Sequence, residues 1–355
     1  MLAGMWGVNP EFGFEALSLE PEPLFVLLAA LLIDGLTGNI TRMRRYVPHP
    51  VFLIASGVNW LEFRLNRERR STYARLIRGL IVVTVVTGLS VGAGWSVAVV
   101  AAQLPFGWLL TLIVIAALIA QRGPFDEVRH IVRGLRSNDL HAAREAAAVF
   151  LGSAADTCDE AALVRAGANH LAVQYLIGLV AATFWFVLLG IPGLFAWRAV
   201  NVMGTLLDSS DPRLAYFGWV PTRFNDAVAY LPRLIAGLLI VVAAAFVPAA
   251  NPVRALRVML RDGSKHRSLS LGSPVAAMAG ALGITLAGPR QLLPEAVSHA
   301  VTGGNSKTEP WVGEQDGRRA VSRADAARAL YLYGVGCLLV FLAVAVMIAV
   351  QFAAA

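Results

Sequence analysis

The chain predicts an all-α integral membrane bundle of five or six spans, and three observations predict it. Apolar runs long enough to cross a bilayer recur along it, basic residues cluster between those runs, and 57% of residues are hydrophobic against 15% charged. A hydrocarbon core of ~30 Å takes ~20 mostly apolar residues in a helix, because each residue advances ~1.5 Å. Backbone N–H and C=O groups meet no water at that depth, so a crossing run has to be helical. The mean hydropathy of +0.63 belongs to the same class.

Taken in order, Leu24–Ile33 is apolar but stops at Asp34 and makes the weakest span. Leu80–Ala102 is a full crossing, followed by the uncharged turn Gln103-Leu-Pro-Phe-Gly-Trp108 and a short return, Leu109–Ala120. In residues 121–170 Val128, Ile131, Val132 and Leu135 recur at i, i+3, i+4 and i+7, the stripe of an amphipathic helix. That stretch reads as a cytoplasmic helical segment. Leu171–Ala196 and Leu234–Ala250 are further crossings, and Leu330–Val350 lies in a terminal transmembrane helix over 330–352. Val275–Ala287 is too short to cross, so it is interfacial, re-entrant or buried against other helices. Residues 288–329 form a polar loop, and the whole chain, 1–355, reads as one membrane domain. If Leu171–Ala196 is a single outward span, Arg198–Arg233 lies outside. If Gly190-Ile-Pro-Gly193 breaks it into a re-entrant hairpin, that loop lies inside.

The net charge of +7 does not indicate nucleic acid. Arg64, Arg67, Arg69, Arg70, Arg75 and Arg78 precede one run, and Arg254, Arg257, Arg261, Lys265 and Arg267 follow another. Juxtamembrane cations of this kind set orientation with the positive loops in the cytoplasm, and they contact anionic lipid. The expected setting is therefore a multi-pass protein of a bacterial cytoplasmic (inner) membrane, with membrane lipid as partner. A homo-oligomer or a protein partner stays open. Met1–Glu22 carries four glutamates and no basic residue, so no cleavable signal peptide is expected. Cys158 and Cys337 have no metal spacing, and the six histidines are scattered. Neither a phosphate-binding glycine loop nor a zinc-protease motif is present.

Four polar stretches nevertheless stand in a telling order. Val47-Pro-His-Pro-Val51 precedes Trp60-Leu-Glu-Phe-Arg-Leu-Asn66, and the apolar run from Phe184 ends in Arg198-Ala-Val-Asn201. Tyr216-Phe-Gly218, Arg223-Phe-Asn-Asp226 and Leu231-Pro232 come next. His266-Arg-Ser268, Ala276-Ala-Met-Ala-Gly-Ala-Leu-Gly283 and Pro310-Trp-Val-Gly-Glu314 complete the set. Together they resemble the CobD/CbiB family, the membrane adenosylcobinamide-phosphate synthases of cobalamin synthesis, collinearly over about residues 24–350. The resemblance implies amide formation between adenosylcobyric acid and aminopropanol phosphate. It implies a corrinoid substrate, with ATP and Mg²⁺ as expected cofactors and no bound prosthetic group. The residues matched to a substrate role are His49, Arg198, Asn201, Arg223, Asp226 and Arg267; no catalytic residue and no metal ligand is assigned.

Bland readings stand beside these. Arg198 and Asn201 can cap and snorkel at a membrane edge, Arg223 and Asp226 can be a simple i,i+3 pair, and Arg267 can be topological. The chain also departs from the family's acids. Gly152-Ser-Ala-Ala155 replaces G-R-D-T, and Asn169, Val173 and Ile177 stand where acids or their neighbours are expected. Gly204 replaces an acid, Asn225-Asp226 replaces an acid pair, and Ser268–Val275 lacks an asparagine and a glutamate. Mg²⁺ takes charged oxygen ligands, which Val173 and Ile177 cannot supply. Two readings therefore remain: an active synthase, or a non-catalytic paralogue on the same scaffold with an assembly or AmpE-like signalling role.

Overall fold

A computed structural model describes residues 22–37, 50–67, 71–209, 211, 213–265, 269–287, 311–313 and 321–354. The helices are α1 (Pro23–Thr37), α2 (Pro50–Leu65), α3 (Thr72–Gln103), α4 (Gly107–Leu118), α5 (Arg122–Arg136), α6 (Leu140–Leu151) and α7 (Glu160–Gln174). They continue as α8 (Ala181–Leu206), α9 (Trp219–Val228), α10 (Tyr230–Ala244), α11 (Pro252–Asp262), α12 (Gly272–Leu282) and α13 (Arg323–Ala354). A π-helical turn, Tyr175–Val180, joins α7 to α8. The described strands are a two-residue pair, β1 (Leu286–Ala287) and β2 (Trp311–Val312), antiparallel with Leu286 opposite Val312.

Side-chain caps mark several starts. Ser71, Asp139 and Asp159 accept the backbone N–H groups of Ala74, Ala142 and Ala162, and Asn251 does the same for Arg254 with Pro252 just inside α11. Val128, Ile131, Val132 and Leu135 are all buried, so the amphipathic stripe of α5 faces the core as its spacing predicts. Every residue of α12 is buried, which decides among the three readings of that short apolar run. Both cysteines are free thiols.

Among the described residues, four helical stretches are long and apolar enough to cross a membrane: Thr72–Gln103, Gly107–Arg136, Glu160–Leu206 and Arg323–Ala354. The pair α9–α10, bent by 51°, makes a fifth by length. Glu160–Leu206 is not one rod. Gly190 has φ 65 and ψ −152, a conformation that essentially only glycine adopts, and it divides α8 into two arms. A Cβ on Gly193 would collide with the carbonyl oxygen of Trp185, and the Trp197 indole donates to the carbonyl of Ile177 at 3.1 Å. Residues 20 apart in a straight helix lie ~30 Å apart, so the chain has reversed. Of the two readings of Leu171–Ala196, the contacts select the hairpin, closed by Gly190-Ile-Pro-Gly193, over the single span.

The returning arm packs along α3, with Gly94 against Pro192 and Gly79 against the carbonyl of Phe217. Residues 213–218 therefore sit beside the start of α3, next to Arg75. Of the two readings left open for Arg198–Arg233, the hairpin reading is the one these contacts favour.

The hairpin and its neighbours are broken near the same level of the bundle. α4 stops at Leu118 and α5 begins at Arg122, leaving carbonyl and N–H groups unpaired within their own helices. The Arg198 guanidinium donates to the carbonyl of Leu118, and Ala120 N–H donates to Gly178 O at 3.1 Å. Asp34 accepts the N–H groups of Gln121 and Arg122 at 2.8 and 3.3 Å, capping α5 from α1. Tyr333 on α13 donates to Gln121 O at 2.7 Å, and Tyr175 donates to Gly336 O at 2.9 Å. Asp34, which ends the first apolar run, is thus part of this junction.

Elsewhere Asp262, 1% exposed, joins α11 to the strand pair. It accepts Gly313 N–H at 3.2 Å and pairs with Arg261 and Lys265, each at 2.7 Å. Burial raises its pKa, but the Arg261, Lys265 and Gly313 donors outweigh burial and hold the carboxyl below the ordinary range.

Two outcomes follow from this architecture. In a Cys158→Ala/Cys337→Ala background, Asp208→Cys and Arg67→Cys should react with an impermeant maleimide from one face of the membrane and Leu104→Cys from the other. Shared labelling of positions 208 and 104 would remove the hairpin. A depressed Asp262 pKa contributes stability above the unfolded value of about 3.9, lost as pH falls through the folded one. Asp262→Asn should then lower the melting temperature at pH 7, with the gap to wild type closing in acid. A gap independent of pH would contradict the charged role of Asp262.

Candidate functional site

Chain segments far apart in sequence meet where the hairpin returns. On α2, Glu62 and Asn66 are one turn apart, and Asn66 Nδ2 donates to Glu62 Oε1 at 3.2 Å. Asn66 Oδ1 accepts from Arg75 Nε at 3.0 Å, and the same guanidinium reaches the carbonyl of Arg213. Arg78 donates to Leu65 O at 3.0 Å, and Arg75 lies 5.9 Å from the Tyr216 ring centre. Asn66, Arg75 and residues 213–217 are thereby held as one unit, with Phe217 fully buried.

On that base stands α9. Thr222 accepts Ser209 N–H at 3.1 Å, which fixes its start to the loop. Asp226, with a side chain 13% exposed, accepts the backbone N–H of Ser270 at 3.1 Å through Oδ1. Its Oδ2 lies 3.5 Å from Arg223, whose side chain is 54% exposed. Asn225, 6% exposed, donates Nδ2 to Ser270 Oγ at 3.2 Å, while its Oδ1 has no partner. Arg233 donates to Leu269 O and lies 4.8 Å from the Tyr230 ring centre. A carboxylate, an unpartnered amide oxygen and an exposed guanidinium therefore share barely more than one turn of helix.

Gly204 explains why the amide can sit there. A Cβ on residue 204 would lie 2.5 Å from Asn225 Cβ and 2.6 Å from its Cγ. Asn225 occupies the volume that any side chain at 204 would need. Two of the neutral replacements are thus one packing event.

Arg223 and Asp226 come together as a loose ion pair. Asn201 is partly exposed on the returning arm, and its backbone carbonyl accepts from Thr205 Oγ1 at 2.9 Å. Arg198, 8% exposed, is taken up by the helix junction. His49 and Arg267 lie outside the described residues. Arg75, Asn225, Arg233 and Ser270 were not singled out as site residues. Their one sequence signal was adjacency to the polar stretches, which juxtamembrane topology explains equally well.

Among the described residues no three His, Cys, Asp or Glu side chains are grouped as a metal site. Asp226 spends one oxygen on an N–H and the other on a guanidinium. The described residues therefore do not fit a directly held Mg²⁺, which takes several hard oxygen ligands. They fit anions and ammonium groups.

A family model described as CobD/Cbib protein matches residues 27–333. A Cobalamin biosynthesis protein CobD from Sinorhizobium sp is 34% identical over 314 residues, 88% of this chain and 94% of that protein. Its namesake from Rhizobium meliloti (strain 1021) is 31% identical, covering 90% of this chain and 95% of its own. That of Rhodobacter capsulatus is 33% identical, covering 87% and 92%. No solved structure matches. With a family match over most of its length and relatives above 30% identity covering nearly all of theirs, the chain belongs to the CobD/CbiB family.

Proposed function

We propose that this protein is an enzyme of cobalamin biosynthesis, an adenosylcobinamide-phosphate synthase of the bacterial cytoplasmic membrane. It joins an activated carboxylate of adenosylcobyric acid to the amine of aminopropanol phosphate. The observation that carries the reading is Asp226, the one acid kept at the family's acid pair, on a helix that also offers Arg223.

Amide formation makes a C–N bond and breaks the bond from the acyl carbon to its leaving group. The nucleophile must be a neutral amine, and its surplus proton has to leave. Asp226 suits the proton's acceptor: it is partly exposed, and Arg223 holds its Oδ2 only at 3.5 Å. ATP, as co-substrate, would activate the carboxylate by phosphorylating it, so that phosphate is the group displaced from the acyl carbon when the amine attacks. Its phosphates fall to the guanidinium groups at this end, since the described residues make no Mg²⁺ cage, and no step is assigned to a metal.

The positive-inside rule puts the α2–α3 arginines, and with them α9, on the cytoplasmic face where ATP is available. The corrinoid and the surrounding lipid are the partners this reading needs. A non-catalytic role is favoured by one observation, the neutral Asn225 packed on Gly204.

Membranes holding the full chain, given adenosylcobyric acid, aminopropanol phosphate, ATP and Mg²⁺, should yield adenosylcobinamide phosphate by mass. Asp226→Asn should reduce the rate by about 100-fold, within the range of general acid–base contributions. A folded, inserted chain making no product while a relative retaining the family's acids does so would establish the non-catalytic member instead.

A further inference from the structure

We propose that α9 holds the amino-alcohol phosphate, with Arg223 taking the phosphate and Asn225 Oδ1 with Asp226 taking the amine. The identity of the ligand rests on the function proposed above; the station itself rests on the geometry.

Asn225 is the informative residue. It is more than nine-tenths buried, its Nδ2 is spent on Ser270 Oγ, and its Oδ1 has no hydrogen-bond partner. An amide oxygen only accepts, so whatever completes it must bring an N–H or O–H group. A phosphate or carboxylate cannot do that. The neighbouring residue is the Asp226 carboxylate, whose Oδ2 meets Arg223 at 3.5 Å. A protonated amine meets an acceptor and an opposite charge at adjacent positions.

Arg223 lies one turn earlier on the exposed side and pairs with Asp226 at 3.5 Å. A guanidinium presents a planar fork of donors that matches phosphate oxygens. The ligand this arrangement selects carries an ammonium and a phosphate about one helical turn apart, ~5 Å. A two-carbon bridge between amine and phosphate ester spans that length. The large corrinoid carries no such pair at that spacing, so its docking surface lies elsewhere.

The test uses the full chain in membranes and varies one substrate at a time. Arg223→Gln should raise KM for aminopropanol phosphate about 10- to 100-fold, as expected for a lost charged hydrogen bond. KM for adenosylcobyric acid should stay within about twofold of wild type on the same reasoning. The preference for aminopropanol phosphate over unphosphorylated aminopropanol should largely vanish in this variant. Asn225→Ala should raise KM for both amines alike, because it addresses the nitrogen and not the phosphate.

A rise in the corrinoid KM, or no change in either, would overturn the assignment, as would an intact phosphate preference in Arg223→Gln. Equilibrium dialysis of labelled aminopropanol phosphate against the full chain decides the matter without turnover. Binding lost in Arg223→Gln supports the station even if no product forms, which would separate it from the catalytic reading. No binding to the wild-type chain removes it.

Discussion

Unpaired backbone at membrane depth is the constraint around which this fold is arranged. Irregular backbone survives there only where protein groups replace the missing helical hydrogen bonds. Here α4 ends and α5 begins inside the bundle, and the chain from α7 passes through a π turn at a similar level. Asp34, the adjacent Trp197 and Arg198, and Tyr333 come from three separate parts of the chain to satisfy a carbonyl or N–H. A guanidinium at the end of α4 also complements the negative pole of that helix. The helices cannot slide past one another without losing these bonds, so the junction sets their relative heights. Those heights decide which residues arrive together at the polar end.

The polar end inherits its geometry from that register. Gly79 lets α3 approach the Phe217 carbonyl, and the Asn66–Arg75 pair ties the α2–α3 corner to the following loop. α9 is then presented with one face on Ser270 and the other exposed. Arg223 and Arg233 stand around a single carboxylate, Asp226, and the chemistry left to the site is recognition of anions and amines.

Much of the scaffold was legible in the sequence because lipid imposes simple rules. Run length and composition located α3 and α13, and the 3.6-residue period located the buried face of α5. The Gly-Ile-Pro-Gly stretch was visible as a break, but a kink and a full reversal share that composition. The choice depends on whether Gly193 can lie on the Trp185 carbonyl and Pro192 on Gly94, which are contacts in space. The end of the short return near Ala120 was visible in the sequence, but its cap was not, since Arg198 lies 80 residues away. At the site, Asp226 and Arg223 carried a local signal. Asn225 was marked only as a neutral replacement, and its pairing with Ser270 stayed hidden because it spans 45 positions.

Arg198 also bears on how the protein is made. A lone arginine at the centre of an isolated spanning helix costs about 2.5–3.5 kcal/mol on insertion. The short arm after Gly190 would therefore be a poor independent candidate for the translocation machinery. Its receptor is the carbonyl end of α4, which is synthesised earlier and waits in the bilayer. The hairpin is best released into lipid as a closed pair that already has a docking place, so the order of helices along the chain doubles as an order of assembly.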